Sequence, residues 1–292
     1  MTGGALPEAA GGTGVNRSYP EWFLRVNSAL VLIVVALALT YSGLPAFAMM
    51  IGVFVTAMAW EWGRLVRGKG LDLAFGAQCV TTAIAAFTTA AGLPAYALLL
   101  VIAGGVAVFL IRSLRGSAIS EACWSAAGVY YAGAPAIALI WIRGDAQFGW
   151  LAILYLFAIV WTTDTAAYVF GRTLGGPKLA PRISPKKTWS GFLGGSLSAA
   201  LVGGLFGAWI GDTNSVKLAI LSLVLALAAQ FGDLGESALK RAFGMKDTSG
   251  LIPGHGGVLD RLDGLIFVAV AAALLVWAVD PAEPGRALLR WS

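Results

Sequence analysis

The chain has 292 residues, of which 58 % are hydrophobic (AVILMFWYC) and 12 % charged, with a formal net charge of +5. Soluble domains carry about 25 % charged residues, and a globule of this length with so few polar side chains could not cover its own surface. A cytosolic enzyme, a disordered chain and a secreted disulfide scaffold are excluded, which leaves a polytopic all-α membrane protein. The apolar runs are continuous rather than alternating, against the pattern of a β-barrel.

Residues 1–22 are Gly/Ala-rich and weakly charged and read as a cytoplasmic tail. Apolar runs then follow near Ser28–Tyr41, Leu44–Trp60, Leu73–Ala91, Pro94–Ile111, Ala122–Trp141, Phe148–Phe170, Gly191–Ile210, Lys217–Phe231 and Gly264–Val279. A bilayer core takes about 20 apolar residues per helix, so about nine transmembrane helices are expected. The first two runs are short and adjacent, and form either a tight hairpin or a span with a re-entrant segment. With the N-terminus cytoplasmic, sixteen of the twenty Lys and Arg residues fall on the cytoplasmic side and four (Arg143, Lys217, Arg286, Arg290) on the other. That bias supports the span count and the orientation. The positive charge therefore belongs to membrane loops, and no nucleic-acid partner is expected.

Trp60, Trp62, Trp141, Trp150, Trp209 and Trp277 stand near span ends, where an indole keeps its ring apolar and its N–H wet. Cys79 and Cys123 fit neither a zinc spacing nor a disulfide framework and read as small buried residues. The chain divides into the tail 1–22, N-terminal spans 23–147, and a C-terminal catalytic region 148–292 with cytoplasmic loops 171–190 and 233–263.

Those loops carry the chemistry. Asp164 stands inside an apolar run, and an acid at membrane depth marks either a functional site or a wetted helix end. Asp233 closes the eighth run with Glu236 at i+3, and Asp260 and Asp263 form a second i,i+3 pair before the ninth. If the two helices lie side by side, Asp233, Asp260 and Asp263 converge. Three such carboxylates repel unless a cation sits among them, and oxygen-only donors favour Mg²⁺ or another hard ion. Ordinary ion pairing with Arg261, Lys240 or Arg241 is the alternative. Between the pairs, residues 244–257 hold five glycines and one proline. Such a backbone approaches an anion closely, and Lys240, Arg241, Lys246 and Arg261 flank it, a combination suited to a metal-bound polyphosphate. The loop 171–190 has five Lys/Arg and no acid. It ends in Ser184-Pro-Lys-Lys-Thr188 ahead of a helix, a phosphate site or a polybasic patch for anionic headgroups.

Ser237, Lys240, Arg241, Lys246, Asp247, Pro253, Gly254, His255, Gly256, Gly257, Asp260, Arg261 and Asp263 follow the pattern S-x-x-K-R-x4-K-D-…-P-G-H-G-G-x-x-D-R-x-D. This segment resembles the signature of the phosphatidate cytidylyltransferase (CDP-diacylglycerol synthase) family. Asp164-Thr-Ala-Ala-Tyr168 with Gly171-Arg172, and Lys178 to Trp189, are similar to further family segments. Two positions depart from the usual pattern: Ser190 stands where the family commonly has Glu, and Lys186 where it often has Gly.

The resemblance implies the reaction of CTP with phosphatidate to give CDP-diacylglycerol and pyrophosphate. It implies an inner-membrane homodimer that uses Mg²⁺, often with a monovalent cation such as K⁺. It maps the metal ligands to Asp233, Asp260 and Asp263. Lys240, Arg241, Lys246 and Arg261 are expected on phosphates, with Asp247, Gly256 and Gly257 beside them. His255 contacts pyrophosphate or orients a ligand. Asp164 completes the metal shell or orders the basic loop, and Arg172, Ser184, Lys186 and Lys187 are expected near the phosphatidate headgroup. A CTP-dependent polyprenol kinase and a cation-coupled transporter are the rival readings. The acids cluster at one membrane face, whereas a transporter places its site near the midplane.

Overall fold

A computed structural model describes residues 21–68, 70–211, 213–252 and 256–290. Among them, nine helices of 18 to 28 residues run in chain order. They are α1 (Glu21–Tyr41), α2 (Leu44–Arg67), α3 (Leu73–Ala90), α4 (Pro94–Leu114), α5 (Ile119–Arg143), α6 (Gly149–Thr173), α7 (Trp189–Ile210), α8 (Ser215–Ala242) and α9 (Leu259–Val279). A six-residue α10 (Pro284–Leu289) follows. Eight of these, α2 to α9, are long and apolar enough to cross a membrane; α1 contributes the shorter apolar stretch Ala29–Tyr41. The molecule is an all-α polytopic membrane protein. The expectations for the tail 1–20 and for Pro253, Gly254 and His255 lie outside the described residues.

Local chemistry sets the helix starts. Asp72 accepts from Phe75 N–H to cap α3, Thr188 from Gly191 N–H to cap α7, and Asn214 from Val216 and Lys217 N–H to cap α8. Proline stands in the first turn of α2 and α4, where its missing N–H costs nothing. Between apolar helices in lipid, packing rather than water exclusion drives association, so small side chains go inward. Ala132, Ala136, Ala152, Ala199, Ala226, Ala229, Ala269 and Ala272 are buried in the main core, whereas Leu99, Leu197, Leu201, Leu205 and Leu274 face outward. That core joins α2, α5, α6, α7, α8, α9 and α10, and α3 and α4 add a smaller cluster against α5.

One end of the bundle gathers the C-termini of α2, α6 and α8 with the N-termini of α5 and α9. Trp62 Nε1–H donates to Trp124 O at 2.8 Å there. Trp62 is thus buried rather than interfacial, its N–H satisfied by backbone. At the opposite end Arg143 Nε donates to Thr40 O at 2.9 Å, and Arg286 N–H to Asp145 Oδ2 at 3.0 Å. Cys79 is half-buried and Cys123 exposed, so packing accounts only for the first thiol.

The two expected loops are shorter than the sequence indicates. The connection after α6 folds into an antiparallel ribbon of β1 (Lys178–Ala180) and β2 (Ser184–Thr188), with Lys178 opposite Thr188. Helix α8 continues past the apolar run to Ala242, so Asp233, Glu236, Lys240 and Arg241 are helical, and Asp260 and Asp263 lie on the first turns of α9.

Candidate active site

Helices α8 and α9 touch closely at Gly232. A Cβ added there would lie 2.6 Å from Asp263 O and 2.8 Å from Phe267 Cδ2. Only glycine permits this spacing, and it brings the next residue, Asp233, up to Asp263. Ligand oxygens of Asp233, Glu236 and Asp263 all lie within 4.8 Å of one another. At an effective dielectric constant of about 20, two carboxylates at that separation repel by about 3 kcal/mol.

Two lysines relieve part of the repulsion. Lys187 Nζ, from β2, is 2.5 Å from Asp233 Oδ2. Lys240 Nζ bridges Glu236 Oε2 at 3.1 Å and Asp260 Oδ1 at 2.7 Å. Four carboxylates against two ammonium groups leave a formal charge of −2, the complement of a divalent ion. Glu236 Oε1 is buried without a hydrogen-bond partner among the described residues. An all-oxygen trio with an unsatisfied acceptor fits a hard divalent cation such as Mg²⁺.

Glu236 thus stands in the trio where the sequence placed Asp260. Both oxygens of Asp260 are engaged elsewhere. Oδ2 accepts from Gly257 N–H at 2.8 Å, from Thr248 Oγ1 at 3.1 Å and from Thr248 N–H at 3.2 Å. Asp260 therefore folds the glycine-rich segment back onto α9 and fixes Lys240. The segment closes on itself where Ile252 N–H donates to Gly256 O at 2.9 Å. Gly257 is packed so tightly that a Cβ would meet Thr248 Oγ1 at 2.0 Å and Glu61 Oε1 at 2.6 Å.

A cavity of about 460 Å³ lies among the membrane helices. Met50, Phe54, Leu139, Phe157 and Leu265 are among its apolar walls, and α1 closes one side with Leu32, Ile33 and Ala36. Asp164, Thr165 and Arg261 also line it. Asp164 sits close enough to Asp233, Lys187 and Arg261 to feel their charges. The polar lining of the chamber, Asp164 and Arg261, is thus the link between its apolar interior and the acid trio.

The remaining sequence-picked residues spread around this centre. Ser184 is half-buried and Lys186 points outward on the ribbon, opposite in facing to Lys187. Arg172 turns to Tyr168, donating to its hydroxyl at 2.5 Å and lying over its ring. Arg241 donates to Met245 O at 3.4 Å. Lys246 and Asp247 are exposed. Ser190 donates to Gly175 O and lies 3.0 Å from Thr188 Oγ1, so it holds the ribbon to α7.

Glu61, Thr248 and Ser249 were not singled out from sequence. Glu61 is fully buried, and its carboxylate contacts Thr248, Ser249, Val258 and Leu259. The available signal was an acid inside Trp60-Glu-Trp62 at the end of an apolar run, masked by the adjacent basic residues.

Comparison with known proteins bears on this centre. The profile of the family described as "Cytidylyltransferase family" matches residues 23–279. The chain is 42 % identical over 263 residues to a protein of Brucella suis named phosphatidate cytidylyltransferase, spanning 89 % of this chain and 94 % of that one. A Haemophilus influenzae protein of the same name is 35 % identical over 272 residues, spanning 82 % of this chain and 93 % of that one. A Rickettsia bellii protein of that name is 49 % identical over 142 residues, 46 % of this chain and 61 % of that one.

Proposed function

The chain belongs to the cytidylyltransferase family, and from that premise we propose that it transfers the cytidylyl group of CTP to phosphatidate. The products are CDP-diacylglycerol and pyrophosphate, which makes it a nucleotidyltransferase of phospholipid synthesis. The observation that carries the reading is an acid trio paired with Lys187, next to an apolar chamber inside the bundle whose polar lining, Asp164 and Arg261, interacts electrostatically with Asp233 and Lys187. A water-soluble triphosphate and an acidic lipid can meet there without either leaving its own phase.

Asp233, Glu236 and Asp263 hold the divalent ion, which when bound neutralises charge on the CTP phosphates. The remaining work is positioning. The lipid phosphate is already an oxyanion and needs no strong base. Arg261 and Lys187 hold it at the chamber mouth, while its acyl chains stay in apolar surroundings. One of its oxygens bonds to the α-phosphorus of CTP as the bond to the β-phosphate bridging oxygen breaks in line, and the electron pair leaves with pyrophosphate. Lys240, fixed by Glu236 and Asp260, offsets negative charge beside the transferring group. Arg241 and Lys246, exposed at the rim, attract the incoming triphosphate. K⁺ is proposed as a companion ion and a second copy of the chain as partner, both on the family resemblance. The concentration of Lys and Arg at the site end supports a cytoplasm-facing site in the inner membrane.

Purified protein in mixed micelles with phosphatidate, Mg²⁺ and CTP tests this. Label from α-labelled CTP should enter a lipid with release of pyrophosphate. Label entering lipid from γ-labelled CTP, with CDP released, would make the chain a lipid kinase instead.

A further inference from the structure

Glu61 lies on α2, 187 residues or more before the groups it binds, yet its side chain is completely buried against them. Oε1 accepts from Val258 N–H at 2.9 Å and from the Ser249 hydroxyl. Oε2 accepts from Leu259 N–H at 2.7 Å and from Thr248 Oγ1 at 3.3 Å. The two backbone donors open α9, whose own N-cap residue, Val258, provides no side-chain cap. A carboxylate from another helix therefore takes the place of a local cap, where the helix dipole favours negative charge.

The contact continues toward the trio. Thr248 Oγ1 lies between Glu61 and Asp260 Oδ2, and Lys240 joins Asp260 to Glu236. One polar chain thus runs from the N-terminal spans to the carboxylates. Asp260 and Asp263 ride on the turn that Glu61 holds. We propose that Glu61 is a positioning residue: it sets the orientation of the first turn of α9 and of Thr248 and Ser249, and through them the affinity of the site for its divalent ion and for the CTP phosphates. This rests on the cytidylyltransferase reading above. An ionised carboxylate is acceptor-only and suits all four groups, the single Thr248 hydroxyl proton being shared between Glu61 and Asp260. A glutamine amide would turn two N–H donors toward half of them.

The test compares wild type with E61Q in detergent micelles by three measurements. They are Mn²⁺ binding without substrates, followed by electron paramagnetic resonance; KM for CTP and for phosphatidate; and thermal unfolding. Groups that orient metal ligands typically alter metal affinity roughly 10–100-fold. E61Q should weaken Mn²⁺ binding and raise KM for CTP by that factor, leaving KM for phosphatidate within about threefold. S249A should move both in the same direction by less, and E61Q/S249A should be no worse than E61Q, since Ser249 acts through Glu61. Mn²⁺ binding and CTP KM within about threefold of wild type in E61Q would overturn the proposal. So would a uniform loss that tracks the folded fraction. If E61Q does not fold, unaltered Mn²⁺ binding in both S249A and T248V overturns it. A wild type that makes no CDP-diacylglycerol, while E61Q still weakens Mn²⁺ binding, removes the enzymatic reading and keeps the positioning role.

Discussion

Asp263 differs from its two neighbours in charge compensation. Among the described ion pairs Lys187 meets Asp233 and Lys240 meets Glu236, while Asp263 meets neither. Its negative charge is the part of the trio most dependent on a cation. Asp263→Asn preserves volume and removes that charge, so turnover should fall about 10²-fold, equivalent to about 3 kcal/mol at the transition state. Insertion and detergent behaviour should stay intact. Label incorporation across a Mg²⁺ series checks this, and a wild-type activation curve would take Asp263 out of the trio. The sequence shows that Asp233 and Glu236, and Asp260 and Asp263, share helix faces, because i,i+3 spacing dictates it. It does not show which of the four meet. That depends on the rotation of α8 against α9, fixed by the contact of Gly232 with Phe267, and on Thr248 and Gly257 drawing Asp260 aside. Glu61 was out of reach because its partners are distant in the chain.

Helix α8 extends beyond its apolar run because its last turns still bury one face: Glu236 is buried, and Leu239 packs against the core. Hydropathy alone ends the helix at the loss of apolar residues and so misplaced the acids into a loop. The α8–α9 seam is the element on which the site depends. In Gly232→Ala the new methyl would strike Asp263 O and the Phe267 ring, and one of the helices must shift. Overpacking of this kind costs about 1–3 kcal/mol. The displacement lies one residue from Asp233, so activity should drop by more than the loss in unfolding temperature accounts for. Parallel activity and thermal-shift measurements decide it; equal losses would mean that the seam serves stability alone.

Across the molecule, the spans, their order and the basic end were legible because hydropathy and Lys/Arg placement register them directly. The chamber was not, since its wall draws on α1, α2, α5, α6 and α9, whose contact is a matter of tertiary packing. Ala36 on α1 faces the chamber, while its neighbour Val35 faces outward. Ala36→Phe should therefore raise KM for long-chain phosphatidate several-fold and affect a short-chain analogue less, whereas Val35→Phe leaves both unchanged. Equal effects of Ala36→Phe on the two lipids would show that acyl chains lie elsewhere.

On β2, Lys187 is half-buried and paired with Asp233, while its neighbour Lys186 is exposed; adjacent strand residues point to opposite faces. Position along the strand distinguishes two adjacent, chemically identical ammonium groups. A frame slip by a single position would exchange them. Deleting Arg182 from the turn leaves every acid and every lysine in the chain, yet it should impair turnover as much as Lys187→Ala does. A two-residue deletion, which restores the alternation, should recover part of it if the shortened turn still closes.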